Sequence, residues 1–360
     1  MTWKYFNGNQ SEHNPLTQLP ESPPWRAFSS PQTVPQDRDA AYWESLVGLA
    51  AKNERAIERG RSFRIQKDEE TGYSEIVNAV NAAIHLRRPL LVTGSPGSGK
   101  TSLAYAIAYE LQLGPVLSWP ITARATLRDA LYRYDAIARL QDAQLDNTKG
   151  PTTSEQEEGA LGDYIYLGPV GTAFLPSRRP RVLLIDEIDK SDLNLPNDLL
   201  NLFEEGEFEI PELVRRKQKE NESARTFKVR TADKGMDRQP LADGRITCCE
   251  FPITIMTSNG ERDFPPAFYR RCLRLDMPDP TEASLLPIVK SHFEQADATG
   301  WSQHEENLKQ LISEFVSKDN KAERATDQLL NAIYLMTRKE RPSEAEMKQL
   351  QKLLFKKLTD

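Results

Sequence analysis

A glycine-rich run that ends in a lysine and a threonine is the part of this sequence best suited to chemistry. Residues 94–101 read Gly-Ser-Pro-Gly-Ser-Gly-Lys-Thr and directly follow the largely apolar run Pro89-Leu90-Leu91-Val92-Thr93. Glycines at this spacing let backbone N–H groups turn around an anion, and a helix beginning after Gly99 adds its positive N-terminal end. In such a loop Lys100 reaches the β- and γ-phosphates, and the Thr101 hydroxyl holds Mg²⁺. The run therefore predicts a phosphate-binding loop for a Mg-nucleotide such as ATP. The residues assigned to nucleotide binding are Gly94, Ser95, Pro96, Gly97, Ser98, Gly99, Lys100, Thr101 and Ser102.

Two consecutive acids follow a second apolar run. Asp186 and Glu187 come directly after Val182-Leu183-Leu184-Ile185, a run typical of a central strand buried on both faces. An acid that leaves such a strand beside a phosphate-binding loop can hold the hydration shell of Mg²⁺, and we assign this to Asp186. The next acid, Glu187, is placed to polarise a water for in-line attack on the γ-phosphate. The order of the two motifs predicts ATP hydrolysis.

Polar residues also follow the later apolar strand predicted over residues 253–257. Asn259 closes the sequence Thr257-Ser258-Asn259. An amide at the end of a strand next to the acidic pair can position the attacking water between Glu187 and the γ-phosphate. Taken alone, an asparagine there is more often a turn residue.

Two arginines precede the last predicted strand. Arg270 and Arg271 close the sequence Phe264-Pro-Pro-Ala-Phe-Tyr-Arg-Arg-Cys272. An arginine that enters a neighbouring subunit's site can neutralise charge that develops in the transition state, and such arginine fingers contribute ~10³–10⁵ in rate. The alternative interpretation is a solvated basic pair.

Composition limits the classes of protein that fit these motifs. The chain has 360 residues, and its 38% hydrophobic content can form a proper core, while 28% charged residues leave its surface polar. A net charge of −6 argues against broad, non-specific nucleic-acid binding. The three cysteines, Cys248, Cys249 and Cys272, fit neither a disulfide framework nor a zinc site, so we expect a reducing cytoplasmic compartment. We expect no membrane span and no signal peptide.

Changes in pattern along the chain divide it into three parts. Residues 1–38 are rich in Pro, Ser, Gln and Asn and predict a flexible N-terminal arm. Residues 39–277 alternate apolar runs with helical patterns, which predicts an α/β domain with a parallel sheet and, at about 207–251, a charged hairpin insert. Residues 278–360 carry only helical periodicity and predict a small all-helical lid.

The sequence also predicts two helices and a loop outside the motifs. Ala40–Glu58 reads as one helix, and Thr126 is expected to cap a helix in which Leu127, Leu131, Tyr134 and Ala138 recur. Residues 146–162 are polar and contain glycine, which predicts a mobile loop.

Together these motifs resemble those of the AAA+ ATPases, over roughly residues 65–340. In that resemblance residues 94–101 are Walker A, residues 182–187 are Walker B, Asn259 is sensor 1, and Arg270-Arg271 is the finger region. Within the superfamily, the strings Gly168-Pro-Val and Leu184-Ile-Asp-Glu-Ile-Asp-Lys-Ser191 look like the MoxR group.

The resemblance implies a Mg-ATP-driven ring, commonly a hexamer, that remodels or matures partner proteins, often with a von Willebrand factor A domain protein. By its match to the family's pattern, Arg271 would be the arginine finger, and Arg270 would be its companion. The family's second sensor lies at the start of a lid helix, and Arg324 is the candidate for it here. The usual Gly-x-Ser-x-Arg motif is absent at that position.

Two other functions remain open from the sequence. The first is a motor subunit of a nucleic-acid machine, because McrB-type GTPases and RuvB-type ATPases share this core. The basic cluster Arg215-Arg216-Lys217 with Lys219 is the feature that this alternative would use, and a GTP preference would favour the McrB branch. The second is a nucleotide-gated scaffold with little turnover, which the intact Asp186-Glu187 pair argues against.

Overall fold

The computed structural model describes most of the chain, in several ranges. It describes residues 3–9, 19–65, 74–146, 160–220, 226–279 and 326–337, together with single positions and short runs between 281 and 316 and between 346 and 354. No helix among these residues is long and apolar enough to cross a membrane.

A five-stranded parallel sheet forms the centre of the α/β domain. Among the described residues the strands are β1 (Leu90–Thr93), β2 (Leu117–Pro120), β3 (Tyr132–Tyr134), β4 (Ile165–Leu167), β5 (Val182–Asp186), β6 (Glu207–Glu209), β7 (Thr226–Val229), β8 (Gln239–Ala242), β9 (Arg245–Thr247), β10 (Ile253–Thr257) and β11 (Leu273–Asp276). The order across the central sheet is β11-β1-β10-β5-β2, with every pair parallel. The carboxyl ends of β1, β5 and β10 therefore lie side by side at one edge, which is where parallel sheets place their ligands.

Helices cover both faces of this sheet. The α-helices whose bounds the structure describes, there and elsewhere in the chain, are α1 (Gln36–Ala50), α2 (Glu54–Arg61), α3 (Glu75–Leu86), α4 (Lys100–Glu110), α5 (Leu127–Leu131), α6 (Ala136–Asp146), α7 (Pro169–Ala173), α8 (Leu195–Glu205), α9 (Pro211–Glu220), α10 (Pro266–Arg271) and α11 (Thr326–Thr337). Successive residues of a strand point to opposite faces, so Leu90 and Val92 pack with α3 and α4 while Leu91 packs with the layer that contains α7 and α8. This two-sided burial confirms the α/β P-loop fold class predicted from the apolar runs.

The predicted single helix from Leu127 to Ala138 is wrong. Thr126 does cap a helix, because its side chain accepts a hydrogen bond from the Asp129 N–H at 3.2 Å, but that helix ends at Leu131. The next three residues extend into β3, which pairs antiparallel with β4, and a second helix starts only at Ala136. The aromatic residues of β3 fit a half-buried strand once a partner strand is available, and this pairing overrides the local helical spacing.

The expected helix Ala40–Glu58 is likewise two helices. Helix α1 starts earlier, at Gln36, and ends at Ala50, and α2 begins at Glu54. Asn53 accounts for the restart, because its side chain accepts a hydrogen bond from the Ala56 N–H at 3.1 Å and so caps α2. The loop predicted over 146–162 lies outside the described residues except at its two ends.

The charged insert has the paired strands that the sequence predicts at its base. It also contains a helix and a second pair of strands that the sequence did not predict. Strand β6 pairs antiparallel with β9, as expected from their apolar alternation. Between them the chain forms α9 and a second hairpin, β7 with β8.

Parts of the N-terminal segment, for which composition predicts a flexible arm, pack against the domain within the described residues. Phe6 is fully buried. Its backbone is held by the Asn81 side chain, whose Oδ1 accepts from the Tyr5 and Phe6 N–H groups at 2.6 and 3.1 Å and whose Nδ2 donates to the Phe6 carbonyl at 2.6 Å. A buried asparagine on α3 thus helps to hold this segment, and the Asn7 N–H donates to Glu110 Oε1 on α4 at 2.6 Å.

Arg26 anchors the following stretch of the segment. Its guanidinium is buried, donates to the Arg87 carbonyl through Nε and Nη2 at 3.1 and 2.7 Å, and donates to the Phe203 carbonyl through Nη1 at 2.7 Å. It also lies 4.8 Å from the centre of the Phe251 ring. Both acceptors are at helix C-terminal ends, where a cation is stabilised by the exposed carbonyls.

The chain after residue 278 contributes a separate apolar cluster within its described residues. Side chains from three stretches form it: Leu285, Val289, Leu308, Leu311, Ile312, Phe315, Leu329, Ala332 and Ile333. These residues belong to the helical periodicity from which the lid is predicted. The boundary of the lid at residue 278 stays a prediction.

Candidate nucleotide site

The phosphate-binding loop connects β1 to α4 and depends on its glycines. Gly94, Gly97 and Gly99 have φ angles of 140°, 77° and 90°, a region that L side chains rarely adopt. A Cβ atom on Gly94 would also lie 3.0 Å from the carbonyl oxygen of Met277. The loop therefore needs glycine at this position both for its backbone and for its contact with the residues after β11.

Lys100 is the first residue of α4 and turns back onto the loop. Its Nζ donates to the carbonyl oxygens of Gly94 at 2.7 Å and Ser95 at 2.9 Å. Burial lowers the pKa of this ammonium below its ordinary value, and the nearby charges of Asp189, Asp186 and Glu187 oppose that shift. The two carbonyl acceptors and the nearby carboxylates thus favour the charged form of the buried Lys100 side chain, which lies where a phosphate anion would bind.

The other expected loop residues lie as follows. Ser98 Oγ is buried without a hydrogen-bond partner among the described residues. Ser102 Oγ accepts from Arg59 Nε at 3.2 Å, which ties α2 to the first turn of α4. Ser95 Oγ donates to Asp279 Oδ1 at 2.7 Å, and Thr93 Oγ1 donates to Asp276 Oδ1.

Thr101 and Asp186 meet at the end of β5. Thr101 Oγ1 donates to Asp186 Oδ1 at 2.9 Å, although the two residues are far apart in sequence. A hydroxyl and a carboxylate are oxygen ligands of the kind that Mg²⁺ prefers, and Mg²⁺ in nucleotide sites needs only one or two protein ligands beside phosphates and water. The described residues contain no group of three or more His, Cys, Asp or Glu that could hold a metal by themselves.

These residues fit a Mg-nucleotide. The orphaned Ser98 hydroxyl and the Lys100 ammonium, which now uses loop carbonyls, are donors for phosphate oxygens. Thr101 and Asp186 would hold the cation. When bound, Mg²⁺ supplies charge neutralisation at the β- and γ-phosphates.

Glu187 follows directly and has an unusual backbone. Its φ is 60°, a left-handed conformation that is costly for a residue other than glycine. Its N–H donates to Thr257 Oγ1 at 2.8 Å, which stabilises this conformation. Its carboxylate is 44% exposed and pairs with Lys190 Nζ at 2.8 Å. The side chain is therefore accessible to a water, while its backbone is fixed.

Asn259 lies beside this acidic pair because β10 is the neighbour of β5 in the sheet. Its N–H donates to Asp189 Oδ2 at 2.8 Å, and the Glu261 N–H reaches the same oxygen at 3.2 Å. The structure thus brings together the loop, Asp186, Glu187 and Asn259 at one sheet edge.

The two arginines lie apart from this edge, on α10. Arg271 Nε is 2.6 Å from Glu204 Oε1, and its Nη1 donates to the Ala267 carbonyl at 3.3 Å. Arg270 is exposed, and its carbonyl accepts from Arg88 Nη1 at 2.9 Å. Arg324, the candidate second sensor, lies outside the described residues.

Two site residues were missed when the sequence was considered alone. Thr257 donates to Asp186 Oδ1 at 2.6 Å and accepts from Glu187, and Asp189 holds the Asn259 loop. Thr257 is the last residue of β10 and Asp189 follows β5 by three residues, each within three residues of an assigned residue, and this position was the available signal. What the sequence did not show is that each reaches across to the neighbouring strand.

This geometry defines a P-loop nucleotide-binding domain. A family model described as AAA domain (dynein-related subfamily) matches residues 89–272, just over half of the chain, and the chain belongs to that family. The AAA+ part of the resemblance is thereby confirmed, and nucleotide binding is implied by the family. No curated protein matches the chain.

Two solved structures are similar to it at low identity. One is NtrX from Brucella abortus in complex with ADP, at 12% identity and a TM-score of 0.37, covering 87% of this chain and 62% of that one. The other is a closed state of Hsp104 with ATPγS and FITC casein, at 17% identity and a TM-score of 0.40, covering 79% and 48%. The chain thus spans less than two thirds of the length of either.

Proposed function

We propose that this protein is a Mg-ATP-dependent, ring-forming AAA+ ATPase of the MoxR-like group that remodels or activates partner proteins and hydrolyses ATP at subunit interfaces. The observation that carries the ATPase proposal is the contact between Thr101 Oγ1 and Asp186 Oδ1, with Glu187 next in the chain. This contact joins the two motifs that must share a Mg-nucleotide. The carboxylate of Glu187, the proposed water-polarising acid, is accessible to solvent beside it.

The position of the arginines supports hydrolysis between subunits. Within the described residues the Arg271 side chain contacts Glu204 and Ala267, and neither belongs to the nucleotide site. A finger that does not serve its own site can serve the next subunit's, as a ring requires. We assign Arg271 as the finger and Arg270 as its companion, and a hexamer as the assembly.

The partner proposal rests on the MoxR-like strings and on the acidic balance of the chain. The strings around Gly168 and Asp186, together with the insert between β6 and β9, support a protein client, with a von Willebrand factor A domain protein as the partner to test first. A net charge of −6 does not favour a nucleic-acid track.

The test is ATP turnover per subunit measured across a range of protein concentrations, with Lys100→Ala as the blank. If neighbours complete each other's sites, turnover per subunit rises with concentration and follows assembly measured by sizing with ATP. Turnover that stays flat while the protein dissociates to monomers would contradict the interface proposal. Absence of turnover at every concentration, with and without a von Willebrand factor A domain partner, would contradict the ATPase itself.

The nucleic-acid motor is kept as the second candidate because of one observation. The basic cluster that begins at Arg215 lies on α9, in the insert, and Arg215 is exposed. Turnover that DNA stimulates, and that loses this stimulation when the four basic residues are neutralised, would favour that candidate. A preference for GTP would point to its McrB-like form.

A further inference from the structure

Asp189 is a buried carboxylate next to the proposed catalytic residues, and its hydrogen bonds reach the segment that carries Asn259. It is 5% exposed. Its Oδ2 accepts from the N–H groups of Asn259 and Glu261 at 2.8 and 3.2 Å. Asp189 follows β5, whereas the two donors follow β10, so one side chain ties the ends of two neighbouring strands.

We propose that Asp189 is a positioning residue: its carboxylate holds the loop that carries Asn259 in fixed register with Glu187, so that both reach the attacking water as one unit. The inference deepens the proposed ATPase and rests on it. Hydrogen bonds from backbone N–H groups to a charged acceptor are among the stronger ones, and burial keeps water from competing for them. A loop held in this way is preorganised before nucleotide arrives.

The second oxygen of the same carboxylate makes the role more specific than loop support. Asp189 Oδ1 is buried without a hydrogen-bond partner among the described residues. A buried carboxylate with an unused oxygen is unfavourable unless a cation lies near it. The charge of Asp189 raises the pKa of the Lys100 ammonium, against the lowering that burial causes. Asp189 therefore acts electrostatically on the phosphate-binding lysine while its other oxygen holds the Asn259 loop.

This arrangement predicts a split between chemistry and binding. Removing the carboxylate frees the Asn259 loop, and a misplacement of about 1 Å costs about 100-fold in rate. It also removes a negative charge near the phosphate site, so nucleotide affinity stays unchanged or tightens. Damage that was merely structural would weaken binding together with turnover.

The experiment compares Asp189→Ala, Asp189→Asn and Asn259→Ala with the double variant Asp189→Ala/Asn259→Ala. We expect kcat to fall about 100-fold for Asp189→Ala and less for Asp189→Asn, which keeps an acceptor, while the nucleotide Kd does not weaken. If Asp189 acts through Asn259, the double variant loses no more rate than Asn259→Ala alone.

Asp192→Asn is the matched control. Asp192 Oδ1 also accepts two backbone N–H groups, from Asn194 at 3.0 Å and Leu195 at 2.8 Å, but at the start of α8 rather than in the Asn259 loop. Its kcat should stay within about twofold of the parent, because asparagine serves equally well as a helix cap.

Amide hydrogen exchange gives a readout that does not depend on turnover. In Asp189→Ala the Asn259 and Glu261 amides should exchange about tenfold faster or more, with the amides of β10 unchanged. Unchanged exchange, a kcat within about twofold of the parent, or rate losses that multiply in the double variant would each overturn the proposal. A parent protein without turnover would instead overturn the proposed ATPase function. The hydrogen-exchange rates would still show whether Asp189 holds the Asn259 loop.

Discussion

Arg271 is ion-paired to Glu204 within its own chain, at 2.6 Å between Nε and Oε1. Both side chains are partly exposed, 37% and 45%, so solvent screens the pair and its net stabilisation is small. Glu204 belongs to the last turn of α8, next to Phe203, whose carbonyl binds Arg26. A finger held in this way is oriented but easily released to a neighbouring site.

We expect opposite results from removing the two partners of this ion pair. Arg271→Ala should leave nucleotide binding intact and lower kcat by ~10³-fold or more, because it removes the charge that stabilises the transition state. Glu204→Gln should not lower kcat, because the arginine no longer has to leave its partner. Steady-state turnover with separate nucleotide titration checks both. If Arg271→Ala hydrolyses ATP at the parent rate, the finger assignment is wrong.

The hydroxyl of Thr257 is expected to control the conformation of the proposed water-polarising acid. It donates to Asp186 and accepts from the N–H of Glu187, which has a left-handed backbone. Thr257→Val keeps the shape of the side chain but removes both hydrogen bonds, so we expect kcat to fall about tenfold or more. Thr257→Ser keeps the hydroxyl and should retain most of the rate. Equal rates for the two variants would show that the hydroxyl has no part in catalysis.

The strands and the motifs at their ends could be predicted from sequence because the chemistry is local there. An apolar run such as Val182–Ile185 indicates a buried parallel strand by itself, and the residues after it then lie at the sheet edge. Hence the loop, Asp186, Glu187 and Asn259 could be placed near one another before the fold was known.

The remaining features depend on partners distant in sequence. Arg26 is one arginine in a Pro- and Ser-rich segment, and only the carbonyls of Arg87 and Phe203 make it an anchor. Tyr134 fits a helical pattern in the sequence, but in the structure it pairs with Ile165 of β4. No periodicity encodes such contacts, so composition indicated an arm and spacing indicated one helix.

Nucleotide affinity should depend on pH through Lys100. Burial lowers the pKa of its ammonium below the ordinary 10.5, and a triphosphate binds the charged form. Affinity should therefore decline as pH rises through the lowered pKa, earlier than an ordinary lysine would cause. Calorimetric titration with ATP between about pH 7 and 10 measures this. Lys100→Arg stays charged throughout and should give a flat profile, and a parent profile equally flat would contradict the shift.

The buried pair of Arg181 and Asp233 should matter for folding rather than for turnover. Arg181 donates to both Asp233 oxygens at 2.8 Å, and the side chains are 2% and 1% exposed. Asp233→Ala leaves a buried cation without its counter-ion and should lower the free energy of unfolding by about 3–5 kcal/mol. Arg181 precedes β5, and Asp233 lies between β7 and β8, so the pair fastens the insert to the sheet.

The exposed pair of Arg245 and Glu209 is the matched control for this prediction. It joins β6 to β9 in the same insert, but its side chains are 60% and 43% exposed. Glu209→Ala should therefore lower the free energy of unfolding far less than Asp233→Ala does, because solvent screens the exposed pair. Urea unfolding of both variants measures the difference directly. Equal losses would mean that burial does not set the contribution of these ion pairs, whereas the expected gap would identify the Arg181–Asp233 pair as one contact that holds the insert on the nucleotide domain.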